Sequence, residues 1–145
     1  MSTEILGRNT YDLMRYWETY PDGADPSEAE LEFARRWKDI DKIVVSSTLT
    51  PGELGTGPVR LVPELDVAAV RQIVDEARGN VEIFGPTTAA AAIRAGMVED
   101  FRFFVVPKMI GGGLRALPDD VHLDLRLAEH RVFGNGTTYQ RYLPR

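Results

Sequence analysis

Residues 81–94 read VEIFGPTTAAAAIR, and the fold turns on how this stretch is read. Val81, Ile83 and Phe84 form the end of a short apolar strand. Gly85-Pro86 breaks it, and Thr87-Thr88, four alanines and Ile93 begin a helix at once. A strand that turns directly into a helix leaves the first helical N–H groups unpaired at the end of the sheet, with the positive end of the helix dipole behind them. That is a seat for a phosphate or carboxylate. Gly85 lets a ligand approach the backbone, and Thr87 or Thr88 caps the helix or bonds the anion. The alternative is an ordinary strand–turn–helix connection with a threonine cap, since the glycine spacing matches no strict fingerprint.

Upstream, a second unit of the same kind opens the chain. Residues 4–6 are the tail of a strand, Gly7-Arg8-Asn9-Thr10 is the turn, and a helix follows over about 10–17 with Tyr11, Met14 and Tyr16 or Trp17 on its apolar side. Arg8 sets a planar, permanently charged fork at that turn, which favours a phosphate; the alternative is a surface arginine. A turn-rich loop covers 20–26, and Ser27 opens the helix SEAELEFARRWKD, with acids in its first turn and bases in its last. Leu31, Phe33, Ala34 and Trp37 are its candidate buried side. KIVVSS (42–47) is an unbroken apolar strand of the kind covered on both faces. A loop at 51–58, a strand at 59–62 and a helix at 67–78 with Val70, Ile73, Val74 and Ala77 on one side complete the approach to residue 81.

Downstream, Gly96 closes the helix, and FRFFVV (101–106) is another strand. Residues 107–114 hold three consecutive glycines and read as an irregular turn. Residues 121–133 and 137–142 flank Gly134-Asn135-Gly136 as an antiparallel hairpin. Strands alternating with helices, then a hairpin, make an α/β protein with a mostly parallel sheet and an antiparallel edge.

At 145 residues the chain has the length of one domain, 1–145, with 43% hydrophobic and 27% charged residues. Cysteine is absent, which excludes disulfides, thiolate metal sites and cysteine nucleophiles, and two histidines argue against a histidine-rich metal site. The net charge of -5 argues against nucleic-acid binding. No apolar run reaches membrane-spanning length, and the first residues lack the pattern of a signal peptide, so a cytoplasmic protein without a membrane partner is expected. Three strand ends carry loop chemistry: 7–10, 46–48 and 85–88. In an open α/β sheet, ligands gather outside the carboxyl ends of the strands, and this rim suits a phosphorylated nucleotide. Singly, each hydroxyl residue is equally a turn former.

LGRNTYDLM, KIVVSSTL, VEIFGPTTAAAAIRAGMVEDFRFFVVPKMIGGG and FGNGTTYQRYLPR, in this order, resemble the dihydrofolate-reductase-like family, and within it the branch of the riboflavin-biosynthesis reductase (RibD C-terminal) domain. The resemblance covers nearly the whole chain. It implies one central sheet flanked by helices and an NADPH cofactor. Gly7, Arg8 and Thr10 match the turn that holds cofactor phosphate. Ser46, Ser47 and Thr48 match the strand end near the adenosine ribose and its 2′-phosphate. Gly85, Pro86, Thr87 and Thr88 match the turn beneath the pyrophosphate. Met109, Ile110 and Gly111 match the segment at the nicotinamide and substrate end.

Two departures stand out. Pro86 replaces a second small residue and removes one N–H donor, while suiting the first turn of a helix. Family members also begin with a strand and a Ser-x-Asp-Gly-like loop ahead of the Leu-Gly-Arg segment, whereas this chain starts almost at Leu6. A partner subunit, a rearranged fold or a start further upstream would account for that, and a homodimer is the expectation. The implied activity is hydride transfer from NADPH to a small, heterocyclic substrate, with orientation supplied by the protein. No proton donor or other catalytic residue is nominated, because Asp100, Asp119 and Asp120 read as turn and cap residues. The rival readings are a nucleotide-binding protein without turnover and a structural oligomer.

Overall fold

The computed structural model describes residues 2–23 and 25–145; the loop expected over 20–26 includes Ala24, which, like Met1, lies outside them. The chain divides into two compact units, Met1–Ala91 and Ala92–Arg145, with the division inside one helix.

The first unit runs β1 (Thr3–Gly7), α1 (Arg8–Met14), a 3-10 turn (Arg15–Glu18), α2 (Glu28–Asp39), β2 (Asp41–Val45), a second 3-10 turn (Pro51–Glu53), β3 (Val59–Val62), α3 (Val67–Glu76), β4 (Val81–Phe84) and the start of α4 (Pro86–Arg94). The strands form one parallel sheet in the order β3-β2-β1-β4, with Ile5 opposite both Ile43 and Ile83. Successive side chains of a strand point to opposite faces. Leu6 and Val44 face Tyr11 and Trp37, and Met14, Trp17, Ile40, Leu49, Leu54, Val59 and Leu61 pack around them. Ile5 and Ile43 point to the other face, where Thr3, Ile43, Arg60, Ile73 and Ala77 line one cleft. Ile5, Leu6, Ile43 and Val44 are at most 1% exposed, so that adjacent apolar residues, which point to opposite faces, are both buried, as in strands covered on both sides.

Local chemistry fixes the ends of the elements. Ser27 accepts from Glu30 N–H at 3.3 Å while the Glu30 carboxylate accepts from Ser27 N–H at 2.8 Å, a complete capping box. Asp66 caps α3 by accepting from Ala69 N–H at 2.8 Å. The first helix starts two residues earlier than its sequence pattern suggests and tightens to 3-10 geometry after Met14. On α2, Ala34 and Trp37 are buried, whereas Phe33 stays partly exposed with its ring against Trp17, centroids 4.8 Å apart. The Tyr11 hydroxyl is buried and accepts from Gly55 N–H at 2.8 Å, tying α1 to the loop after β2.

Lys42 is the unexpected core residue. Its Nζ donates to the carbonyls of Trp37 at 2.6 Å and Ile40 at 2.9 Å, and stands 5.0 Å from the centre of the Trp37 ring. These are carbonyls of the last turn of α2, which a helix cannot satisfy from within. Burial pushes the ammonium below its ordinary value, against the pull of Glu4, Glu18, Asp41 and Asp39. On the same row of the sheet Glu4 lies between Lys42 and Glu82. Burial and then the Glu82 charge raise its carboxyl, with Lys42 opposing. Trp37 Nε1 and Glu18 Oε1 are buried without a hydrogen-bond partner among the described residues.

The second unit holds β5 (Phe101–Val105), β6 (Leu125–Val132) and β7 (Thr138–Pro144) in an antiparallel sheet of order β5-β7-β6. The parallel sheet and C-terminal hairpin agree with the sequence pattern. Strand β5, however, pairs with β7 in a sheet of its own, so the single central sheet with an antiparallel edge is replaced by two sheets. Within this unit Asp100 holds Arg102 at 3.1 Å and Arg141 at 2.8 Å. Among the described residues no helix is long and apolar enough to cross a membrane.

Two stability measurements follow from this packing. Trp37→Ala removes the largest fully buried side chain and is expected to cost about 3–5 kcal/mol in urea denaturation. Trp37→Phe, which also deletes the unpaired N–H, should cost much less. Because the Glu4 carboxyl titrates higher in the folded than in the unfolded chain, folding favours its protonated form. The contribution of Glu4 to stability therefore declines as pH rises from the unfolded carboxyl range through the raised folded value. Glu4→Gln should raise the urea midpoint at pH 7, with the gain vanishing below about pH 4.

Candidate functional site

The chain steps from β1 to β2 to β3 in one direction, and β4 returns to the other side of β1. The point where the order reverses, between β1 and β4, is where open α/β sheets hold their ligands, outside the carboxyl ends of the strands. The last residue of β1 is Gly7, and Gly85 directly follows β4. Gly7 has ordinary extended backbone (φ -71°), so its lack of a side chain serves proximity: an added Cβ would lie 2.8 Å from Thr88 Oγ1. Gly85 instead needs glycine for its backbone, at φ +95°.

α4 begins at Pro86, and Ala89 N–H closes its first turn on the Gly85 carbonyl at 3.0 Å. This corrects the expected threonine cap. Thr87 and Thr88 sit inside the first turn, and the position ahead of it belongs to a residue with no side chain. Pro86 has no N–H, so the helical amides left without an intrahelical acceptor are those of Thr87 and Thr88. The seat is one donor poorer than an ordinary helix start, and the Thr88 hydroxyl stands over the end of β1.

Beyond β1, Arg8 is the first residue of α1 and Thr10 follows within the same turn. Arg8 Nη1 donates to Thr48 Oγ1 at 2.8 Å, and its Nε lies 3.7 Å from Asp12. This contact joins the ends of β1 and β2 across 40 residues of sequence. Ser46 Oγ accepts from Thr48 N–H at 3.2 Å and Leu49 N–H at 3.1 Å, and Ser46 N–H pairs with Val62 of β3. Ser47 is exposed beside them. The nearby Glu53 carboxyl is held low by hydrogen bonds from Thr50, aided by the Arg8 charge. The sequence gives no direct sign of the Arg8–Thr48 contact, though Asp12 is visible in it as the i+4 partner of Arg8.

The structure thus places Gly7, Arg8, Thr10, Ser46, Ser47, Thr48, Gly85, Pro86, Thr87 and Thr88 at one rim of the parallel sheet. Met109, Ile110 and Gly111 belong to the second unit, in the segment between β5 and β6, with the Met109 and Ile110 side chains exposed. Asp100 is committed to its two arginines: burial pushes its carboxyl up, but the hydrogen bonds and charges of Arg141 and Arg102 outweigh this and hold it low. Asp119 is paired with Arg115 at 2.6 Å. Neither is placed as a proton donor. Among the described residues no group of three or more His, Asp or Glu is arranged to hold a metal.

Solved structures that share this fold include the following three. A protein assigned to riboflavin biosynthesis from Shewanella sp. PV-4 superposes with a TM-score of 0.69 at 18% identity, covering 99% of this chain and 73% of that one. A pyrimidine reductase-like protein from Corynebacterium diphtheriae gives 0.63 at 12% identity, covering 99% and 75%. Dihydrofolate reductase from Enterococcus faecalis, complexed with NADP(H) and RAB-propyl, gives 0.60 at 17% identity, covering 99% and 74%. No curated protein matches the chain in sequence. The RibD C-terminal domain family matches residues 2–139. With the strand order, the paired glycines and the arginine-bearing rim in place, the chain belongs to the RibD C-terminal domain family and has a dihydrofolate-reductase-like fold.

Proposed function

We propose that this protein is an NADPH-dependent reductase that delivers hydride to a small, heterocyclic substrate. The observation that carries the reading is a single rim that holds Gly7 and the Thr87 and Thr88 amides at the reversal point between β1 and β4, with the Arg8 guanidinium on the other side of β1, at the end of β2. Family membership and the NADP(H) complex of the dihydrofolate reductase neighbour support it.

The residues fit a dinucleotide. A Cβ at Gly7 would collide with the Thr88 hydroxyl, so glycine lets that side chain lie directly against the end of β1, and a helix start at a strand end suits a pyrophosphate. The free amides of Thr87 and Thr88, with the helix dipole behind them, supply donors there. Arg8 supplies a charged fork further along the rim, with N–H groups still available beyond the one held by Thr48. When bound, the nicotinamide supplies the hydride; the chain orients it. Asp100 and Asp119 being committed to arginines, the accompanying proton comes from solvent in this reading. The exposed Met109, Ile110 and Gly111 are assigned to the substrate side on the family resemblance.

The assembly proposed with this activity is a homodimer. Its support is the second unit, whose strands leave Phe104, Val105, Leu127 and Val132 at least half exposed, apolar side chains that a partner surface would cover.

Calorimetric titration of the folded chain with NADPH, with NADH as control, should show saturable binding and preference for NADPH. A folded sample that binds neither overturns the reading, and binding without NADPH consumption over a panel of pyrimidines and pteridines favours a binding protein instead. Arg8→Ala should weaken NADPH binding by about 1–3 kcal/mol, the range for a charge-assisted phosphate contact, and unchanged affinity would remove Arg8 from the site. Light scattering should return twice the 16.2 kDa chain mass, and a clean monomer would overturn the dimer.

A further inference from the structure

At the end of β2 stand three adjacent hydroxyl residues, Ser46, Ser47 and Thr48, which in sequence look interchangeable as phosphate ligands. The structure gives them different work. Ser46 Oγ accepts from two backbone N–H groups, those of Thr48 and Leu49, and so shapes the turn. It also lies 3.3 Å from Thr48 Oγ1. Thr48 Oγ1 in turn accepts the Arg8 Nη1 proton at 2.8 Å. Ser47 makes no side-chain hydrogen bond among those seen between described residues and is exposed.

We infer that Thr48 is a positioning residue: held by the Ser46 turn, it fixes the Arg8 guanidinium over the ends of β1 and β2, and it acts on an anionic ligand through Arg8. This rests on the proposed nucleotide site. Arg8 benefits from such a device because its side chain is long and about half exposed, and its ion pair with Asp12, at 3.7 Å, is a loose one. An unrestrained arginine loses rotamer freedom when it engages an anion; one already held loses less, and the difference appears as affinity. A guanidinium has five N–H donors, so the bond to Thr48 fixes its plane without consuming its capacity for a bidentate contact. The acidic groups nearby, Asp12 and Glu53, oppose an anion, which makes the direction of the fork matter more.

The experiment is a double-mutant cycle read by calorimetry with NADPH as the probe, on wild type, Thr48→Val, Arg8→Ala and the double variant, with Thr48→Ser as the conservative control. Thr48 is exposed and valine has its shape, so circular dichroism should show an unchanged fold. Thr48→Val should weaken NADPH binding about five- to tenfold, the effect of one lost hydrogen bond, and Thr48→Ser should restore it. In the Arg8→Ala background, Thr48→Val should add nothing. Ser46→Ala, which loosens the turn, should weaken binding in the same Arg8-dependent way. An equal loss with and without Arg8 means that Thr48 touches the ligand itself and overturns the positioning role. No effect of Thr48→Val on a wild type that binds overturns it too. A folded wild type that fails to bind NADPH removes the nucleotide site, and the positioning role with it.

Discussion

Everything at the rim depends on the burial of β1 on both faces. Leu6 packs toward Tyr11 and Trp37, Ile5 points to the opposite layer, and neither keeps measurable contact with water. A strand so enclosed has no freedom to slip, because a shift of one residue would exchange its two faces. Its last residue, Gly7, is therefore fixed in space between the ends of β2 and β4. What lies beyond it, a close approach to Thr88 on one side and an arginine reaching Thr48 on the other, follows from that one fixed strand end.

The same layer shows how a polar group is carried in an apolar interior. Lys42 begins near the start of β2 and reaches the last carbonyls of α2, which would otherwise be buried without donors. One ammonium closes the helix and couples it to the strand, at the cost of burying a charge near Glu4. Capping by a charged residue from the next element ties the helix end to the sheet position more firmly than a local glycine stop would, since the cap forms only when both are in place.

At the rim, charge and hydroxyl groups serve geometry as much as binding. Pro86 withdraws a donor yet presets the first turn of α4, leaving two amides in a fixed direction. Arg8 is drawn across to the end of β2 by Thr48. Both limit motion at the rim, and preorganised donors of this sort are what the proposed reductase would contribute to a reaction whose chemistry resides in its cofactor.

The residue pattern by itself determined the element types. Short apolar strands at 42–47 and 81–84, the Ser27–Glu30 box and the Gly-Asn-Gly turn each act within a few residues, so strand, helix and hairpin were readable without the fold. The candidate rim was readable as well, since strand ends followed by glycine, arginine and hydroxyls lie together in any parallel sheet. Tertiary structure decided what depends on distant partners. The pairing of β5 with β7 in a separate sheet is a hydrogen-bonding choice that no local periodicity encodes. Lys42 looks like a solvated strand residue until the carbonyls of α2 come within reach. Thr87 and Thr88 look like caps until the helix starts at Pro86, and Thr48 looks like its two serine neighbours until Arg8 arrives from 40 residues away. Short-range chemistry is written in neighbouring residues, whereas contacts across the sheet exist only once burial has fixed which strands lie side by side.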